Sequence, residues 1–112
     1  MKYALLFNAF TAVCVAKGQP KLCGSDKHNS IQQAIGKFCQ KTNIVVPSTY
    51  ATNGMRGNDG KGFVSIEGTC HPPQWVPQEY CMEQFNNMCA NEEVTKKFGR
   101  NGCQTWITYG PA

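Results

Sequence analysis

The segment that decides the fold is Pro77-Gln78-Glu79-Tyr80-Cys81-Met82-Glu83-Gln84-Phe85-Asn86-Asn87-Met88-Cys89-Ala90. Proline is well suited to the first turn of a helix, where its missing N–H would be unbonded anyway. Glu79 lies near the positive end of the helix dipole. Tyr80, Cys81, Met82, Phe85, Met88 and Cys89 form a broad apolar stripe, which predicts a helix to about residue 90. Two cysteines sit on it, eight residues and therefore ~12 Å apart along the axis at ~1.5 Å per residue. A disulfide needs Cα atoms within about 7 Å. A continuous helix cannot join Cys81 to Cys89, so each must staple it to another part of the chain. Cys39 and Cys103 are the natural partners, and the sequence leaves open which joins which.

Upstream, Ser30 followed by Gln33 has capping-box spacing, and Ile31, Ala34, Ile35 and Phe38 share one face. This predicts a helix over about 31–41, with Cys39 at its edge. Asn43-Ile44-Val45-Val46 reads as a short buried strand stopped by Pro47. A further short strand is expected near 49–52. Residues 53–62 hold four glycines and two Asn/Asp-Gly steps, the composition of a loop or wide hairpin turn. Phe63 to Glu67 follows as a strand ended by Gly68, and Pro72-Pro73 breaks the chain again. Downstream, 91–97 is polar, Phe98 to Gly102 reads as a turn, and Cys103 to Tyr109 alternates as a strand. The pattern is α+β: a small antiparallel sheet flanked by helices, sandwich-like and stapled by disulfides.

A chain of 112 residues allows one domain, and its core alone is a marginal source of stability. Seven cysteines at this length predict a disulfide framework and an oxidising compartment. The odd count is resolved at the N-terminus. Met1-Lys2, an uncharged apolar run over 3–15, and small residues at 14 and 16 before Lys17 follow the layout of a secretory signal. The expected division is a signal peptide over 1–16 and a single disulfide-rich domain over 17–112, secreted to the extracellular space. Removing Cys14 leaves Cys23, Cys39, Cys70, Cys81, Cys89 and Cys103, which allow fifteen pairings. The apolar run is too short for a membrane span, which needs ~20 residues.

The formal charge is +4, and the lysines are scattered rather than gathered in the dense stripe of a nucleic-acid binder. No Asn-x-Ser/Thr acceptor occurs. Zinc sites bring cysteines in close pairs, a spacing absent here, so no metal or other cofactor is expected. Neither a G-x-S-x-G elbow nor a phosphate loop occurs. Two histidines, His28 and His71, are available. Glu67, His71 and Arg56 or Arg100 supply the residue types of a small secreted ribonuclease, without a motif to fix them. Recognition is better served. A sugar packs its apolar C–H face on an aromatic ring while its hydroxyls seek planar polar partners. Trp75, held among Pro72, Pro73 and Pro77, is the expected platform. Arg56, Asn58 and Asp59 of the Gly-rich loop, with Tyr50 and Trp106, complete the candidate set. The alternative for both tryptophans is burial in the core.

The amphipathic helix ending Phe38-Cys39, the Gly-rich stretch, the Phe63-to-Cys70 strand, the Tyr80-Cys81 helix and the ending Phe98-Gly99-Arg100-Asn101-Gly102-Cys103-Gln104-Thr105-Trp106 carry a further indication. Over about residues 22–109 the chain resembles small secreted fungal cysteine-rich proteins related to the shaggy-mane mushroom glycan-binding protein. Gly102-Cys103-Gln104-Thr105-Trp106 is the most specific piece. The resemblance implies an αβα sandwich, a homodimer formed through a sheet edge, and binding of glycans or glycoproteins without catalysis. The expected function is thus a secreted lectin-like protein with no nucleic-acid partner. A secreted effector or killer-toxin-like protein acting on a host protein or membrane is the alternative, and a small ribonuclease is the third.

Overall fold

The computed structural model describes Cys23 and residues 29–110. The expected leader and Cys14 lie outside these residues. The order is α1 (Asn29–Phe38), β1 (Ile44–Val46), α2 (Thr49–Asn53), β2 (Met55–Arg56), β3 (Phe63–Gly68), β4 (Gln74–Val76), α3 (Gln78–Ala90), β5 (Thr95–Phe98), a 3-10 turn (Arg100–Gly102) and β6 (Gln104–Tyr109). The fold is α+β with two antiparallel sheets. One has the order β2-β3-β6-β5 and the other pairs β1 with β4.

The antiparallel register of β3 on β6 sets the core. Ile66 lies opposite Trp106 and Val64 opposite Thr108, all four buried on one face. Phe85 of α3 packs on Trp106 at 4.5 Å between ring centroids, and Phe38 of α1 meets Phe85 edge-on at 5.6 Å. The predicted apolar face of α1 is buried at Ile31, Ala34, Ile35 and Phe38. These aromatic contacts put α1 and α3 together on the Trp106 face of the sheet.

α3 is continuous and its cysteines part company, as its length requires. Cys81 joins Cys39 with Cα atoms 5.6 Å apart, and Cys89 joins Cys23 at 5.2 Å. Cys103 does not staple the helix, contrary to expectation; it joins Cys70 at 5.0 Å. The reason is register. Gly68 faces Gln104 across the ladder and the Thr69 N–H donates to the Cys103 carbonyl at 2.9 Å, so Cys70 emerges beside Cys103.

Four local expectations change. Residues 49–52 are helical rather than extended: Ser48 caps α2 by accepting from the Ala51 N–H at 3.1 Å. Val45 of β1 is exposed while Ile44 and Val46 are buried, so this strand is half-buried. The Pro-flanked 74–76 segment forms β4 and pairs with β1. The polar 91–97 stretch contains the start of β5, an outer strand of the sheet, where lysines are common because they oppose edge-to-edge pairing. The opposite outer strand, β2, has two residues.

Candidate ligand-binding cleft

β4 alternates its side chains, so Val76 enters the core while Trp75 faces outward beside Val45, its cross-strand partner. Trp75 is 62% exposed, a large fraction for an indole. Its position is nonetheless fixed: the ring N–H donates to the Thr42 carbonyl at 3.0 Å. Beside it opens a cleft of about 510 Å³ walled by β4, the first turns of α3 and the Gly99–Arg100 turn. Tyr80 and Gln84, four residues apart on one helix face, contribute an exposed ring and a planar amide. Arg100 supplies a guanidinium from the opposite wall. A smaller cavity of about 300 Å³ is lined by His71 and Asn101 and shares Pro72, Gln74 and Arg100 with the first.

The floor of this groove is a hydrogen-bonded relay. Gln74 Oε1 accepts from the Arg100 backbone N–H and from Gln104 Nε2, each at 3.1 Å. Gln104 Oε1 in turn accepts from the Trp106 ring N–H at 2.8 Å. The Cys70–Cys103 disulfide lies against the same Gln74 oxygen. Gly99 has φ +82°, and a Cβ there would strike the side chains of Gln74 and Gln104. The turn presenting Arg100 is thereby fixed from below.

Of the expected site residues, the structure places Trp75 and Trp106 at the cleft and Tyr50, Arg56, Asn58 and Asp59 away from it. Trp106 forms part of the floor but is 1% exposed and packed between Phe85 and Phe98, so it cannot offer a ring face to a ligand. Tyr50 stacks on Phe38 at 5.2 Å, donates its hydroxyl to the Phe38 carbonyl at 2.8 Å and carries Lys41 over its ring. The ring and its hydroxyl are thus already engaged within the fold, and burial raises its pKa.

Arg56, Asn58 and Asp59 lie elsewhere. The Gly-rich loop packs on the N-terminal end of α1, where the predicted capping pair is diverted to it. Ser30 lies inside the helix; its hydroxyl donates to Asp59 and accepts the Gly62 N–H at 2.6 Å. Gln33 Oε1 accepts the Asn58 N–H at 2.8 Å. Gly57 and Gly62 allow this approach, since a Cβ at either would collide with Ser30. Arg56 donates to the Gly60 carbonyl at 3.3 Å and lies over Phe63. Asp59 is held below the usual carboxylate range by the Ser30 hydroxyl and then by the Lys61 N–H. Trp75 is fastened beyond the other end of α1, at Thr42. The ten residues of that helix span about 15 Å. Platform and loop thus do not form one site.

Tyr80 belongs to the apolar stripe of α3, but it is 51% exposed, and Met82 is also exposed. Its spacing to Gln84 was the available signal for a second wall. Nothing local in the sequence brings Arg100 to Trp75; they lie beside different sheets, and the Arg100 N–H bond to Gln74, the neighbour of Trp75 on β4, joins them. The ribonuclease set is also divided. His71 and Arg100 share the smaller cavity, while Glu67 lies on β3 and Arg56 on β2, and neither lines it. His28 lies outside the described residues. No three metal-ligating side chains converge among the described residues. Comparisons with protein-family models, curated proteins and solved structures find no match.

Proposed function

We propose that this chain is a secreted carbohydrate-binding protein without catalytic activity, and that the cleft beside Trp75 takes the sugar. The observation that carries the reading is Trp75 itself: an indole 62% exposed yet fixed by its bond to Thr42. Exposing so much apolar ring is unfavourable in water, and fixing it in advance lowers the entropic cost of stacking a ligand on it. Tyr80 offers a second ring, and Gln84 and Arg100 offer planar groups for hydroxyls. The arrangement supports the lectin-like reading with a polar set different from the Gly-rich loop.

Three disulfides suit an oxidising, extracellular-type environment, which favours secretion. No described helix is long and apolar enough to cross a membrane. The proposed cleft is complete within one chain, so the reading does not require the sheet-edge dimer that the resemblance implies. The test is a broad glycan array, with neutral and acidic members, probed with disulfide-bonded wild type and Trp75→Ala. Binding by the wild type that is lost in a folded Trp75→Ala variant is the expected result. A folded wild type that binds no glycan overturns the reading and gives precedence to a secreted effector acting on a protein or membrane.

A further inference from the structure

The hydrogen-bonding character of the groove narrows the ligand class. The Arg100 backbone N–H can only donate, so the Gln74 atom it meets is the carbonyl oxygen. That fixes the amide orientation and leaves Gln74 Nε2, in the lining of both cavities, with no hydrogen-bond partner among the described residues. The Arg100 guanidinium likewise has no hydrogen-bond or ion-pair partner among them. Trp75 has spent its ring N–H on Thr42. Among the described residues no Asp or Glu lines either cavity, and Arg100 is the one Arg or Lys in both linings. The groove therefore carries unused donors, with the Arg100 guanidinium, on a backbone held by Gln74, in the lining of both cavities.

Resting on the carbohydrate reading above, we infer that the groove selects acidic oligosaccharides. A sugar ring stacks on Trp75, and the carboxylate of that residue or its neighbour is read by Arg100 and Gln74. Guanidinium and carboxylate match as a planar, two-point, charge-assisted pair, about twice as strong as the neutral bonds that sugar hydroxyls can make to the same group. Arg100 is positioned for this by its backbone, through Gln74, the tight Gly99 and the adjoining Cys70–Cys103 disulfide. His71 and Asn101 in the shared cavity extend the site beyond one sugar ring.

The experiment is calorimetric titration of the disulfide-bonded protein with matched pairs of oligosaccharides. Each pair is an acidic glycan (galacturonate-, glucuronate- or sialate-containing) and its carboxyl-reduced form, taken with the array as a guide. At least one acidic member should bind about tenfold or more tightly than its reduced partner. In Arg100→Gln that preference should shrink to about twofold or less while binding to the reduced sugar persists. Arg100→Lys, which keeps charge but loses the fork, should fall between. Equal affinity for the two members of every pair, with both lost in Trp75→Ala, overturns the acidic selectivity and leaves the carbohydrate reading standing. A preference that survives Arg100→Gln overturns the assignment of Arg100. No binding to any member, acidic or neutral, overturns both readings.

Discussion

Replacing each tryptophan in turn separates the ligand platform from the core. Full burial of an aromatic side chain removes about 150–250 Å² from water. Trp75 is 62% exposed, so only about a third of that area is at stake. At ~25 cal/mol per Å² this is about 1–2 kcal/mol, and the bond to Thr42 adds roughly 1 kcal/mol. Trp75→Ala should therefore cost no more than about 3 kcal/mol and leave a cooperatively folded protein. Trp106 is 1% exposed, touches Phe85 and Phe98, and donates to Gln104. Trp106→Ala should cost about 5 kcal/mol or more, a large share of the ~5–15 kcal/mol typical of a small domain. Urea unfolding with the disulfides intact measures both. In the binding assay, Trp75→Ala should weaken glycan affinity by about thirtyfold or more, as expected for an anchor residue. Trp75→Phe keeps a ring without the N–H and should lose several-fold. The reasoning is refuted if Trp75→Ala destabilises as much as Trp106→Ala, or if it folds and binds the same glycan unchanged.

The remaining predictions concern the supports of the site and the fold. Peptide mapping should find Cys23 joined to Cys89, Cys39 to Cys81 and Cys70 to Cys103; a Cys103 peptide linked to α3 would contradict the register of β3 on β6. Loss of any one bridge should cost about 2–5 kcal/mol, read as a fall in the urea midpoint of the matching Cys→Ser pair. Gln104→Leu keeps the side-chain bulk but leaves the buried Trp106 N–H without its acceptor and Gln74 Oε1 with the Arg100 N–H but without the Gln104 amide. It should cost about 1–3 kcal/mol and weaken ligand binding without touching Trp75, and wild-type values for both would show the relay to be idle. Asp59 has a folded pKa below its ordinary value of 3.8, so its contribution is present above about pH 3.8 and is lost as pH falls through the lower folded value. Hydrogen exchange at Asn58–Gly62 should therefore speed up as pH falls below about 3.8, after correction for intrinsic rates, and Asp59→Asn should remove that step. An equal step in both proteins would assign it elsewhere.

The legible parts of the fold were those whose signal is local. The α1 face from Ile31 to Phe38, the β3 and β6 strands and the α3 stripe each declare themselves by period, and the length of α3 alone forbids Cys81–Cys89. What depended on register or on edge position was hidden. Thr95 to Phe98 reads as polar chain because an outer strand exposes its lysines to solvent. Prolines around Gln74-Trp75-Val76 resemble breaks, although they bound a short strand in a two-stranded sheet. The capping pair Ser30 and Gln33 carries the right residues for helix initiation, yet the glycines at 57 and 62 let a distant loop compete for both side chains and win.

The site follows the same division. For Trp75 the prolines around it left platform and core both open, and it is the alternation of β4 and the bond to Thr42 that turn the ring outward and hold it. Its partners were not legible, since Tyr80, Gln84 and Arg100 come from two other elements. The segment carrying the resemblance is explained by the structure in other terms. Cys103 closes a disulfide, Gln104 bonds the Trp106 ring, Trp106 fills the core, and the preceding turn is held against Gln74. Those residues are required by the fold whatever the ligand, so a chain could keep Gly-Cys-Gln-Thr-Trp and change its specificity. The groups free to face a ligand are Trp75, Tyr80, Gln84 and Arg100, and their backbones are held by the scaffold while their side chains line the cleft. On the proposed reading, ligand choice can therefore vary at exposed Tyr80 and Arg100 at little cost in stability, and at Trp75 at a cost of no more than ~3 kcal/mol. A substitution at Gln104 or Trp106, by contrast, acts on the fold first and on the ligand only through it.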